Sequence, residues 1–136
     1  MKDKFTLIGV IALAAAIAIV LSGCKGNKFI YESPDFDSSQ FTARAFDDVI
    51  AATAGEHNIT GLYISELIFV RQSGTQLTFR NLDGSTSKTM QIQSATEGLS
   101  EGQRVRVYYY VNSNMTRTGD MFHGGEAWGV FAIERL

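Results

Sequence analysis

The chain has 136 residues, 45% of them hydrophobic, with 12 Lys+Arg against 14 Asp+Glu, 13 Gly, one Pro and one Cys. That length allows one domain of ordinary size. A formal charge of −2 argues against sequence-independent duplex binding, which needs a basic excess. One cysteine excludes an internal disulfide and a zinc site built on several thiolates.

The composition shifts sharply at the N-terminus. Lys2 and Lys4 give a positive start, residues 5–20 are apolar apart from Thr6, and Leu21-Ser22-Gly23-Cys24 closes the run. A positive head, an apolar stretch and small residues before a boundary are the physical signature of a secretory signal. The stretch enters the membrane as a helix while the lysines stay cytoplasmic. An uncleaved anchor would use about 20 apolar residues, slightly more than this run has.

Leu21-Ser22-Gly23-Cys24, placed after such a signal, resembles the lipobox of bacterial lipoproteins. The resemblance implies cleavage of residues 1–23, a diacylglyceryl thioether on Cys24 and acylation of its new amino group by chains such as palmitate. Each buried CH₂ contributes about 0.8 kcal/mol, so two or three chains anchor a protein to membrane lipid without a spanning helix. It also implies a cell-envelope location. Lys25, where some families place a retaining Asp, favours the outer membrane if two membranes are present.

Removing residues 1–23 leaves 113 residues with 10 Lys+Arg and 13 Asp+Glu, a formal charge of −3. A chain of that size buries somewhat over 60% of its unfolded surface, enough for one core. Residues 24–38 are polar, hold the only proline and show no period, so they read as a tether. Phe29, Ile30, Tyr31 and Phe36 are more apolar than a plain linker needs, which allows part of it to dock.

The folded domain is expected over residues 39–136. Phe41, Ala45, Val49 and Ala52 recur at helical spacing, with Ser38 or Ser39 as cap and Gly55 as stop, predicting a helix over 39–54. From Gly61 onward the pattern turns to strands: 62–71, 76–82, 87–93, 104–111 and 127–135. Asp83-Gly84 is a hairpin signal. Strand 104–111 alternates most clearly, with Val105, Val107, Tyr109 and Val111 on one side and Arg104, Arg106, Tyr108 and Tyr110 on the other. Residues 112–126 read as a long loop.

Five short strands suit a small closed barrel, because an open sheet this apolar would pair with other chains. The run from Gly98 to Val107, Gly-Leu-Ser-Glu-Gly-Gln-Arg-Val-Arg-Val, resembles the turn into the fourth strand of OB-fold proteins. Small periplasmic OB-fold proteins also place a short helix before the barrel. The resemblance implies a mainly β, five-stranded Greek-key barrel preceded by one short α-helix, behind the signal helix. It carries no catalytic motif.

No nucleophile elbow, P-loop, H-E-x-x-H or C-x-x-C occurs, so no catalytic residue and no cofactor is assigned. His57 and His123 are 66 positions apart; His123 has Met121 and Glu126 nearby, too few ligands to fix a metal geometry. The residues singled out are Arg104, Arg106, Tyr108 and Tyr110 on one strand face, with Arg117 and His123 in the loop. Arginine forks and tyrosine rings serve stacking and anion contacts on OB surfaces and also protein interfaces. Alternatively that face lies under helix 39–54, its tyrosines packing and its arginines snorkelling.

The leading expectation is a lipid-anchored envelope adaptor, not an enzyme, that docks a protein partner through the strand face and the loop, with no role in nucleic-acid binding. The alternative is a receptor for a glycan or small anion at the Arg/Tyr face, and the remote one a metal-dependent enzyme. Nothing in the sequence specifies an oligomeric state.

Overall fold

A computed structural model of the chain describes residues 28–53, 59–118 and 121–136, the side chains of 114–118 and 121–124 excepted. The segment expected to be a signal, with Cys24, Gly55 and His57, lies outside the described residues. In chain order the elements are β1 (Phe29–Glu32), a 3-10 turn (Ser38–Gln40), β2 (Thr42–Ala43), α1 (Phe46–Thr53), β3 (Ile59–Ser73), β4 (Gln76–Arg80), β5 (Ser87–Gln91), β6 (Arg104–Thr118) and β7 (Met121–Arg135). Among the described residues, no helix is long and apolar enough to cross a membrane.

Five strands close into an OB-like barrel in the order β3-β4-β5-β7-β6 and back to β3. All neighbours are antiparallel except β5 and β7, which meet in parallel at Gln91 and Gly129. β3 belongs to both halves of the barrel: Ile59–Ile68 pairs with β6, and Ile68–Ser73 with β4. The register slips between Phe69 and Arg71, and such a bulge bends a strand enough to turn a corner. Gly74 carries the following turn with φ of 60°, a left-handed conformation that glycine adopts without steric cost.

Alternation fills the interior. Leu67, Leu77, Phe79, Val105, Val107, Tyr109, Val111 and Ile133 are fully buried there, with Phe69, Met90, Trp128 and Val130 around them. Tyr109 stacks on Trp128 with centroids 5.9 Å apart, and its hydroxyl shares a 2.8 Å hydrogen bond with Ser65 Oγ. A buried ring with a satisfied hydroxyl adds apolar area without an orphaned polar atom.

The helix is shorter than the sequence pattern predicts, and it covers a different surface. It spans Phe46–Thr53 and buries Phe46, Val49 and Thr53. Phe46 packs edge-on against Tyr109 and Trp128, so α1 plugs one mouth of the barrel instead of covering the Arg/Tyr face. The residues before it are not helical. Asp37 accepts the Ser39 amide and caps the 3-10 turn, and Thr42–Ala43 pairs in parallel with Tyr63 and Ile64. Phe41 produced the helical spacing in sequence, but its ring goes to the outer face, onto Tyr108 and Phe131.

Two further differences concern the ends of the domain. Residues 29–36, read as tether, belong to the fold: β1 pairs antiparallel with β7, Tyr31 is buried, and its hydroxyl accepts the Gln93 amide. Residues 112–126, read as a loop, are the far ends of β6 and β7, paired from Asn112 with Ala127 out to Thr118 with Met121. Among the described residues, β3 accompanies β6 as far as Ser113. Beyond it, among the described residues, the two strands form a ribbon with no further neighbour. Alternation marks a strand with one face on a core and one in solvent, and residues 112–126 show none in sequence, which is why they read as a loop.

Candidate functional site

The outer face of β6 is flanked by β3 and β7, and register sets its columns. Arg104, Arg106, Tyr108 and Tyr110 stand opposite Ile68, Glu66, Ile64 and Leu62 of β3. On the other side, Arg106 stands opposite Glu134 and Tyr108 opposite Ala132. Alternation therefore delivers all four predicted side chains to one face, but they divide into two sets.

The first set is spent within the fold. Arg104 Nη2 donates to Glu66 Oε1 at 2.7 Å. Arg106 lies between two carboxylates, 3.7 Å from Glu66 and 3.4 Å from Glu134, and Lys28 reaches Glu134 at 3.3 Å. Arg104 holds the Glu66 carboxyl below the usual carboxylate range, chiefly through its hydrogen bond. Burial of Glu134 opposes its ionisation, but hydrogen bonds from Tyr108 and Lys28 and the charges of Lys28 and Arg106 outweigh it and hold the carboxyl low.

Tyr108 is 7% exposed. The N-terminal strap roofs it: Phe36 and Phe41 pack edge-on at 4.9 Å and 5.6 Å between centroids, and Phe29 lies tilted at 6.1 Å. Burial, then the hydrogen bond to Glu134, pushes its hydroxyl up to about 12. The cover expected from a helix comes from residues 29–41.

Tyr110 forms the second set. It is half-buried and lines an apolar depression of about 400 Å³ together with Thr60, Gly61, Leu62, Val111, Asn112 and Phe131. Two local features open it. The register slips where Tyr108 faces Ala132 but Tyr109 faces Val130, which leaves Phe131 unpaired in a bulge with its ring 6.0 Å from Tyr110 on the outer face. Gly129 then lets the Tyr110 ring lie flat over the backbone, where any Cβ would overlap it. The depression sits at the foot of the β6–β7 ribbon.

Arg117 and His123 lie on that ribbon, opposite Phe122 and Thr116 respectively; their side chains are outside the described residues. Among the described residues, no three His, Cys, Asp or Glu side chains gather as metal ligands. Sequence reasoning missed Leu62 and Phe131. Leu62 needed the β3–β6 register, and Phe131 needed the bulge, without which strict alternation from Ile133 points it inward. No family model matches the chain, and no curated protein or solved structure matches it either.

Proposed function

We propose that this protein is a lipid-anchored binding module of the bacterial cell envelope, held to the membrane by acylated Cys24, that docks a protein partner instead of catalysing a reaction. The docking surface is narrower than the sequence suggests. It runs from Tyr110, Leu62 and Phe131 along the β6–β7 ribbon that carries Arg117 and His123.

The observation that carries this reading is the split of the β6 face: Tyr110 borders an open apolar depression, while Arg104, Arg106 and Tyr108 are tied to Glu66, Glu134 and the strap. Aromatic anchors beside an open apolar hollow are the groups that carry most of the energy at protein interfaces. Among the described residues the ribbon's outer strand edges have no partner strand, and such edges are the usual template for adding a partner's strand.

The glycan or anion receptor is the weaker reading. Guanidinium groups already matched by carboxylates would have to give up those partners to bind an anion.

In-cell photo-crosslinking from positions 110 and 117, read by mass spectrometry, tests the proposal. A discrete protein adduct from either position is expected. Absence of any adduct, with Tyr110→Ala and Leu62→Asp leaving cells unaltered, overturns it.

A further inference from the structure

The short distance between Cys24 and the barrel sets how the anchored protein stands on its membrane. Lys28 is already fixed: its carbonyl accepts the Arg135 amide at 2.8 Å and its amine meets Glu134. Only four chain steps separate it from Cys24, and four steps span at most about 14 Å even when fully extended.

β1 runs antiparallel to β7, so the chain enters at the end of the barrel where β7 finishes and β6 starts. Strands alternate in direction, so residues 92–103, which join β5 to β6, share that end. The turn of residues 81–86 and the β6–β7 ribbon occupy the opposite end. From Arg104 to Thr118 the chain advances fourteen residues, about 46 Å along the strand. A barrel tilt near 40° applies as far as Ser113, where the pairing with β3 ends, and gives a barrel about 23 Å tall along the axis before the ribbon begins.

We infer that the lipidated protein sits directly on the phospholipid surface, its entry end against the headgroups and its ribbon projecting into the aqueous space. This inference rests on the reading of Cys24 as the anchor. A tether shorter than the barrel leaves no room for the domain to turn over. Contact at the entry end needs no basic excess, because the acyl chains supply the affinity. Lys28, Arg104 and Arg106 there are largely met by Glu66 and Glu134. The partner is therefore met well above the headgroups, by the ribbon and the Tyr110 depression below it.

The test uses the full lipidated chain in phosphatidylethanolamine/phosphatidylglycerol vesicles carrying an acceptor dye on a headgroup. The donor is placed on Glu101→Cys at the entry end or on Leu82→Cys at the far end, both exposed positions. Energy transfer should be several-fold stronger from position 101, and the difference should persist in high salt. An insertion of about 20 Gly/Ser residues after Gly26, a flexible coil, should lower both and bring them together. Equal transfer from the two positions in chain that floats with the vesicles overturns the inference and leaves the anchor standing. Wild-type chain that fails to float, with Cys24 unmodified by mass spectrometry, overturns the anchor and the inference with it.

Discussion

Tyr108 donates a 2.7 Å hydrogen bond to Glu134 across the β6–β7 pair, and both residues are under 10% exposed. The bond joins the two parts of the covered face: the aromatic roof over Tyr108 and the charge cluster of Glu134, Arg106 and Lys28. Tyr108→Phe keeps the roof and removes one donor from a buried carboxylate, which costs about 1–3 kcal/mol. Denaturant unfolding should show that loss with an unchanged slope, since the surface exposed on unfolding is the same.

Glu134 and Glu66 have folded-state pKa values held below their ordinary range. Glu126 is also lowered: burial opposes this, but hydrogen bonds from Trp128 and Lys88 and the Lys88 charge outweigh it. Groups depressed in the fold stabilise it above their unfolded pKa, and that stability is lost as pH falls through the folded value. Melting temperature should therefore hold near neutrality and fall on acidification below about pH 4.5. Glu134→Gln should flatten the acid limb; an unchanged limb would exclude Glu134 as a source of it.

Phe36 packs edge-on against Phe29 and Tyr108, in a stretch that sequence pattern assigns to a tether. Phe36→Ala should cost about 1–2 kcal/mol, since it removes a half-buried ring and two edge-to-face contacts. A residue in a solvated linker would cost nothing measurable. Urea unfolding separates the two.

Gly129 lies under the Tyr110 ring with no room for a Cβ. Gly129→Ala should displace that ring, destabilise the barrel by about 1–3 kcal/mol as an overpacked site, and abolish crosslinking from position 110. Crosslinking that survives intact would remove Tyr110's fixed pose from the account of docking.

Much of the barrel is legible in the chain. The alternation of Val105, Val107, Tyr109 and Val111 against Arg104, Arg106, Tyr108 and Tyr110 reads directly as a half-buried strand, and burial follows it except at Tyr108, which the aromatic strap covers. The positive-φ glycines at 74, 84, 98 and 102 all fall in the connections between strands. Residues 114–125 show no alternation in sequence, so the strands there are legible only from the pairing of β6 with β7. The helical spacing over 39–54 predicts too long a helix, because Phe41 matches the period while serving a different surface. Local pattern cannot tell one apolar destination from another.

The sequence by itself determined the five strands within the barrel, their turns, the closed mainly β architecture and the identity of the residues on the β6 face, because backbone alternation and turn chemistry are local. Tertiary structure alone decided which of those residues are available. Partners for Arg104, Arg106 and Tyr108 come from positions 26–79 residues away: Glu66, Glu134 and the aromatic strap. Tyr110 is left open by a one-residue slip at Phe131 and a glycine at 129. Contacts between distant segments leave no periodic trace in either one, so only the folded chain brings them together.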